Sequence, residues 1–342
     1  MSEQKTLVVH HRSGIGDLVW HLPYIRAVAA TSAGGKVVVM ARPSCRAEDI
    51  LSGEPCVERV IEYDRRPRNK SRRGKHDSIW GQIQICMQLR REGFDRIVIF
   101  SGRPRYGVLA WLAGIPVRAG FGFDIAQRLF LNQPPYIHRF TGAGSWVYPE
   151  ATDFAIAQGF VGKAVVPKML VPSTLVGKLG LQLEGLRRPR FAFAIGSSVP
   201  EKSWKNENFV ALAKTLVEHG CGVLILGGPG EKAMAERLFA PSLAHPDRLQ
   251  VMCQPSVLQS AAALKNCDFC IGNDTGILNV AVAVDVPALG LFGTTRPLTH
   301  DPLMHGVSAA SMDDISVETV MMHLTKIGAL KAAASSSMSG HR

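Results

Sequence analysis

Short apolar runs alternate along the chain with polar, glycine-containing turns and with segments whose apolar positions recur at helical spacing. Residues 5–10 read as a first parallel strand, Arg12-Ser13-Gly14-Ile15-Gly16-Asp17 as a turn, and 18–30 as the amphipathic helix that it opens. The same pattern predicts strands over 36–40, 57–61, 94–100 and 117–120. Helices are predicted up to residue 51 and over 78–91 and 145–158, whereas 121–148 resists assignment. The stretch 167–189, with three prolines and weak periodicity, marks a connection between domains, so the expected division is 1–172 and 173–342. A second series follows, with strands over 191–194, 222–226, 249–251, 269–271 and 286–292 and helices over 207–219, 231–239, 257–265 and 316–330. Strand and helix in strict alternation imply an α/β protein with parallel sheets in two Rossmann-like domains. The tail 332–342, rich in Ser and Ala, is expected to lack structure.

One stretch organises the second half: Gly272-Asn273-Asp274-Thr275-Gly276-Ile277-Leu278-Asn279, read as strand end, tight polar turn and helix start. Gly272 and Gly276 allow the backbone to approach a ligand, Asp274 and Thr275 can cap the helix, and its first amides with the dipole behind them suit a phosphate. Ile195-Gly196-Ser197-Ser198, leading into Glu201-Lys202-Ser203-Trp204, should supply the other half of that site. In the first half, Gly14-Ile15-Gly16-Asp17 is not a dinucleotide fingerprint, because Asp17 puts a carboxylate where a pyrophosphate would sit. Asp17 either caps the first helix or serves as a proton acceptor.

With 46% hydrophobic and 20% charged residues, the 342-residue chain is expected to be globular and folded. No apolar run reaches the about 20 residues that span a bilayer, and the polar start is not a signal peptide, so a cytoplasmic location is expected. Seven cysteines, an odd number, fit reduced thiols. Cys267 and Cys270 have CxxC spacing but point to opposite faces of a strand, which favours burial over metal binding. A net charge of +11 implies an anionic partner. Much of the excess lies in 65–76, including Arg66, Arg68 and Arg72, which reads as a solvated loop or as an anion-binding one. Without interleaved aromatics the run does not read as a nucleic-acid arm.

Five motifs in order give the chain a resemblance. Gly14-Ile15-Gly16-Asp17 with Leu22-Pro23, Gly196-Ser197-Ser198 with Lys202 and Trp204, the run from Leu224 to Glu231, Asn273-Asp274-Thr275-Gly276, and Leu291-Phe292-Gly293 resemble glycosyltransferase family 9, the ADP-heptose lipopolysaccharide heptosyltransferases. The resemblance implies a GT-B fold, two Rossmann-like domains facing each other across a cleft, with the last helix crossing back to the first domain. It implies inverting transfer of heptose from ADP-L-glycero-D-manno-heptose to Kdo or heptose on lipid A. Asp17 would then be the general base, and Lys202 the cation that neutralises the departing ADP. Ser197, Ser198, Thr275 and Gly276 would meet the diphosphate, Asp274 the heptose hydroxyls, and Gly228 and Glu231 the nucleotide, with Trp204 in a packing role. Gly14, Gly16, Arg66, Arg68, Arg72 and Arg103 would face the acceptor. Where the family usually has histidine, this chain has Asn279, which keeps a donor and an acceptor but no cationic form. With no Asp-x-Asp motif, the resemblance implies a metal-independent enzyme without cofactor, acting as a monomer at the cytoplasmic face of the inner membrane, where the basic loop would meet anionic lipid. Another nucleotide sugar as donor, or a non-catalytic sugar-nucleotide-binding relative, are the competing readings.

Overall fold

The computed structural model describes residues 4–65, 73–197, 199–240, 243–254, 256–297 and 299–330. The chain divides into two compact units, Met1–Pro167 and Lys168–Arg342. The segment just after the division belongs to the second unit, since Lys168 pairs with Asp285 at 2.6 Å and the Met169 amide donates to the Ala283 carbonyl at 2.8 Å.

The first unit runs β1 (Thr6–His10), α1 (Ile15–Ala30), β2 (Val37–Ala41), α2 (Ala47–Leu51), β3 (Val57–Glu62), α3 (Ile79–Glu92), β4 (Arg96–Phe100), α4 (Pro104–Leu112), β5 (Val117–Gly120), α5 (Ile125–Arg128) and α6 (Val147–Ala157). Its five strands are all parallel, in the order β3-β2-β1-β4-β5. Both β1 and β2 are buried at every position, as continuous apolar runs must be when helices cover both faces. One side of the sheet meets Ile85 and Leu89 of α3 and Leu109 and Ala110 of α4. Strand order reverses between β1 and β4, and in open α/β sheets ligands bind beyond the carboxyl ends of the strands at such a point. Of these elements, α4 is not predicted by periodicity, although Pro104 at its first turn is a favoured helix start.

The second unit runs α7 (Ser173–Gln182), β6 (Arg190–Ala194), α8 (Asn206–Glu218), β7 (Gly222–Gly227), α9 (Lys232–Leu238), β8 (Leu249–Cys253), α10 (Val257–Leu264), β9 (Phe269–Asn273), α11 (Gly276–Ala283), β10 (Ala288–Phe292), β11 (Met304–Ser308) and α12 (Val317–Lys326). Six parallel strands lie in the order β11-β10-β9-β6-β7-β8, reversing between β6 and β9. Helix α7 occupies part of the expected connection, anchored through Leu179. Helix α12 seats Val320 and Leu324 in the core of the second unit. The tail 332–342 lies outside the described residues.

Gly272 corrects an expectation. It lies opposite Ala194 in the β6/β9 register, and a Cβ on it would fall 2.6 Å from the Ala194 Cβ. The neighbouring strand is by itself sufficient to require the glycine. Cys267 and Cys270 are buried free thiols, with burial pushing Cys267 up to about 12 and Cys270 higher still.

Candidate active site

At the reversal point of the second sheet, the loops after β6 and β9 are fastened together by Asn273, which is fully buried. Its Oδ1 accepts the Trp204 backbone N–H at 2.9 Å, and its Nδ2 donates to the Ile195 carbonyl at 2.9 Å. Trp204 is itself buried, with its indole N–H donating to the Ile315 carbonyl at 2.7 Å, which gives it the expected packing role. Lys202 ends the short 3-10 turn Pro200–Lys202, and its ammonium is ion-paired with the Asp274 carboxylate. The same carboxylate oxygen accepts from the Thr295 hydroxyl at 3.0 Å. Two residues singled out separately in the sequence are therefore partners.

The capping role expected of Asp274 and Thr275 is not taken up in the structure. Thr275 is the N-cap of α11, with extended backbone (φ −136°), and makes no side-chain capping bond, while Asp274 is committed to Lys202 and Thr295. The opening of α11, from Gly276, thus turns its amides and positive dipole end toward the loop without a side-chain cap. Asn279 is buried on α11 and its Nδ2 donates to the Thr275 carbonyl at 3.3 Å, so it steadies the turn from behind. The Ser197 hydroxyl closes its own loop, donating to the Val199 carbonyl at 2.7 Å and accepting the Val199 N–H at 3.3 Å. Ser198 lies outside the described residues.

Glu231 links two of these turns. Its Oε2 accepts the Gly228 N–H at 2.8 Å, while its Oε1 would stand 3.6 Å from a Cβ on Gly196. A carboxylate between the ends of β6 and β7 is placed to accept hydrogen bonds from a ligand diol there.

In the first unit, Asp17 sits in the first turn of α1, where its Oδ2 accepts the Gly14 N–H at 3.3 Å. A Cβ on Gly14 would fall 2.9 Å from that oxygen, so glycine there serves the carboxylate. Gly16 is buried within α1. The Arg12 Nε stands 3.9 Å from Asp17 Oδ2, and the guanidinium lies over the Trp146 ring, 3.8 Å from its centroid. Burial lowers the affinity of Arg12 for its proton, partly offset by Asp17 and Glu150. Arg103 precedes α4 and its charge reaches both Arg12 and His11; Arg105, depressed by burial and then by Arg65, adjoins it. Cations thus gather around the carboxylate at the ends of β1 and β4. Arg66, Arg68 and Arg72 lie outside the described residues.

Three histidines lie beneath the Asp17 turn, and sequence reasoning missed them. His10 Nδ1 and His21 Nδ1 are 2.9 Å apart and buried, and His11 Nδ1 donates to the Phe100 carbonyl at 3.0 Å. Burial holds all three well below their usual range, His11 and His21 at about 3, so they are neutral at ordinary pH. The only available signal was His10-His11 at the end of an apolar strand, which reads equally as a capped core position.

Two Rossmann-like parallel sheets, each with its polar residues at the strand-order reversal, define the GT-B class of sugar-nucleotide-dependent transferases. Residues 83–321 match the model of Glycosyltransferase family 9 (heptosyltransferase), and the chain belongs to that family. It is 24% identical over 309 residues to Lipopolysaccharide heptosyltransferase 2 of Salmonella typhimurium, a match covering 86% of this chain and 84% of that protein. To Lipooligosaccharide heptosyltransferase 2 of Haemophilus influenzae it is 23% identical over 229 residues, 62% of this chain and 64% of the other, so this second match spans less than two thirds of that relative. The solved structure of Escherichia coli ADP-heptose lps heptosyltransferase II superposes with a TM-score of 0.73 over 95% of this chain and 98% of that one, at 20% identity. No helix among the described residues is long and apolar enough to cross a membrane.

Proposed function

We propose that this glycosyltransferase moves heptose from ADP-L-glycero-D-manno-heptose to a sugar of the lipopolysaccharide core, Kdo or an earlier heptose on lipid A, with inversion at the anomeric carbon. The observation that carries the reading is the Lys202–Asp274 pair beside the open N-terminus of α11. An ammonium, a helix dipole and a hydroxyl-seeking carboxylate in one place suit a sugar diphosphate, whose charge the first two match and whose hydroxyls the third accepts. Membership of the heptosyltransferase family supports the donor class, in keeping with the ADP-heptose in the name of the similar Escherichia coli structure.

In this reading Asp17 takes the proton of the acceptor hydroxyl as its oxygen bonds to the anomeric carbon. The bond from that carbon to ADP breaks on the opposite face, and Lys202 leaves Asp274 to match the charge growing on the departing diphosphate. The fixed cation substitutes for a divalent metal. Arg12, Arg103 and Arg105 face the anionic groups of the acceptor. The enzyme works as a monomer, peripheral to the cytoplasmic face of the inner membrane where its lipid acceptor resides.

The test is mass spectrometry of the purified protein with a Kdo-bearing lipid A acceptor and, in parallel, ADP-heptose, UDP-sugars and GDP-sugars, with and without EDTA. Heptose transfer from the ADP donor alone, undiminished by EDTA, is expected. Transfer only from another donor identifies a different sugar specificity, and neither transfer nor donor hydrolysis means a binding protein.

A further inference from the structure

Helix α3 has its apolar residues on two faces. Ile85 and Leu89 are buried against the sheet, and Gly81, on the same side of the helix, is buried against the Lys75–His76 backbone. Ile79, Ile83 and Met87 follow the same four-residue spacing but are displaced by two positions, about 200° around the helix, and so point directly away from the core. They are 79%, 41% and 47% exposed, and Trp80 beside them is 77% exposed. A helix packed on a sheet ordinarily turns polar residues to that side. Here the polar positions of the outward face between Ile79 and Leu89 are uncharged, Gln84 and Gln88, and charge returns only with Arg90 and Arg91 in the last turn. The adjoining helix α4 ends in two more exposed apolar side chains, Trp111 at 55% and Leu112 at 52%.

The stripe is bracketed by positive charge. Exposed Arg73 and Lys75 precede it, and exposed Arg90 and Arg91 close it. At the C-terminal end, the Glu92 carboxylate pairs with Arg59 at 2.5 Å and Lys5 at 3.5 Å. A two-fold pairing of this face with a second copy would bring cations against cations. An anionic bilayer answers both features at once, because its interface takes Trp, Ile and Met while its headgroups attract the flanking arginines and lysine.

We propose that the outward face of α3, extended by the end of α4, is the surface by which the protein docks on an anionic lipid bilayer. This deepens the reading above, resting on it for the purpose of docking, but it is measured without any sugar transfer.

The experiment is flotation of the full-length protein with vesicles of phosphatidylethanolamine and phosphatidylglycerol, and with vesicles of phosphatidylcholine alone. The wild type should float with the first and not the second. Ile83→Glu/Met87→Glu and Arg90→Glu/Arg91→Glu should each lower the bound fraction by about tenfold, with circular dichroism and ADP affinity unchanged. The proposal is overturned if the wild type ignores anionic vesicles or if the folded double variants float as well as the wild type. It is also overturned if the wild type sediments as a dimer that Ile83→Glu/Met87→Glu converts to a monomer, since the face would then join two copies.

Discussion

The Asn273 carboxamide accepts the backbone N–H of Trp204 at 2.9 Å, and through this bond and its mate to the Ile195 carbonyl one buried side chain fixes two loops of the second unit. Asn273→Ala leaves a buried donor and a buried acceptor without partners, for a predicted loss of about 2–4 kcal/mol. Urea unfolding measures it, and ADP affinity should weaken along with stability. A variant as stable as the wild type would show that these loops hold their positions by other means.

The ion pair between Lys202 and Asp274 predicts opposite effects on nucleotide binding. Lys202→Ala should weaken ADP binding and lower kcat by about 10²–10³, the scale for loss of a group that stabilises transition-state charge. Asp274→Asn should bind ADP several-fold more tightly, because the ammonium no longer has a carboxylate to leave, yet transfer heptose poorly. Calorimetry with ADP and steady-state assays separate the two quantities. Weaker ADP binding by Asp274→Asn would contradict the exchange of partners.

Asp17→Asn keeps a side chain of the same shape and removes the proton acceptor. Transfer should fall by about 10²–10⁴, while ADP affinity, proposed for the second unit, should stay as it was. Loss of the Gly14 contact would lower stability only modestly, since the pair is half exposed. Near-normal turnover in a folded Asp17→Asn protein would leave the carboxylate a purely structural role.

His10, His11 and His21 set a pH dependence of stability. Their folded-state values lie far below the unfolded value near 6.5, so below that pH the unfolded chain binds protons that the folded chain refuses. The penalty is absent above about pH 6.5 and grows as pH falls toward about 3, by up to about 1.4 kcal/mol per pH unit for each histidine. The melting temperature should therefore drop between pH 7 and pH 5, and His11→Gln should make the drop shallower by roughly one proton's share. A flat profile over that range would mean that the ring environment opens before unfolding.

Much of the second half was legible because its signals are local. Asn273-Asp274-Thr275-Gly276 sits where a buried run ends and a helix begins, and strand, turn and helix each fall within a few residues. What the sequence concealed is long-range. Asn273 matters through residues 69 and 78 positions away, and Gly272 through its neighbour Ala194 on another strand; neither partner can be inferred from spacing. Edge strand β11 escaped because only Met304 and Val307 of its five residues are buried, too few for a period-two pattern. Helix α7 was masked by surrounding prolines, of which Pro172 stands at its N-cap and none lies inside it. The cations expected to face an acceptor were placed mainly on the loop around 65–76, with Arg103 at the end of β4; Arg12, beside Asp17, was not foreseen because it meets Arg103 only through the β1/β4 reversal.

Among the described residues, each unit has a hydrophobic core cluster built from its own residues. On the proposed division of donor and acceptor between the units, selection can tune the two substrates through separate stretches of chain: a lineage could alter its acceptor by drift before Lys168 while inheriting its sugar supply intact. A chimera spliced at that position between two members of the family is the natural unit of exchange.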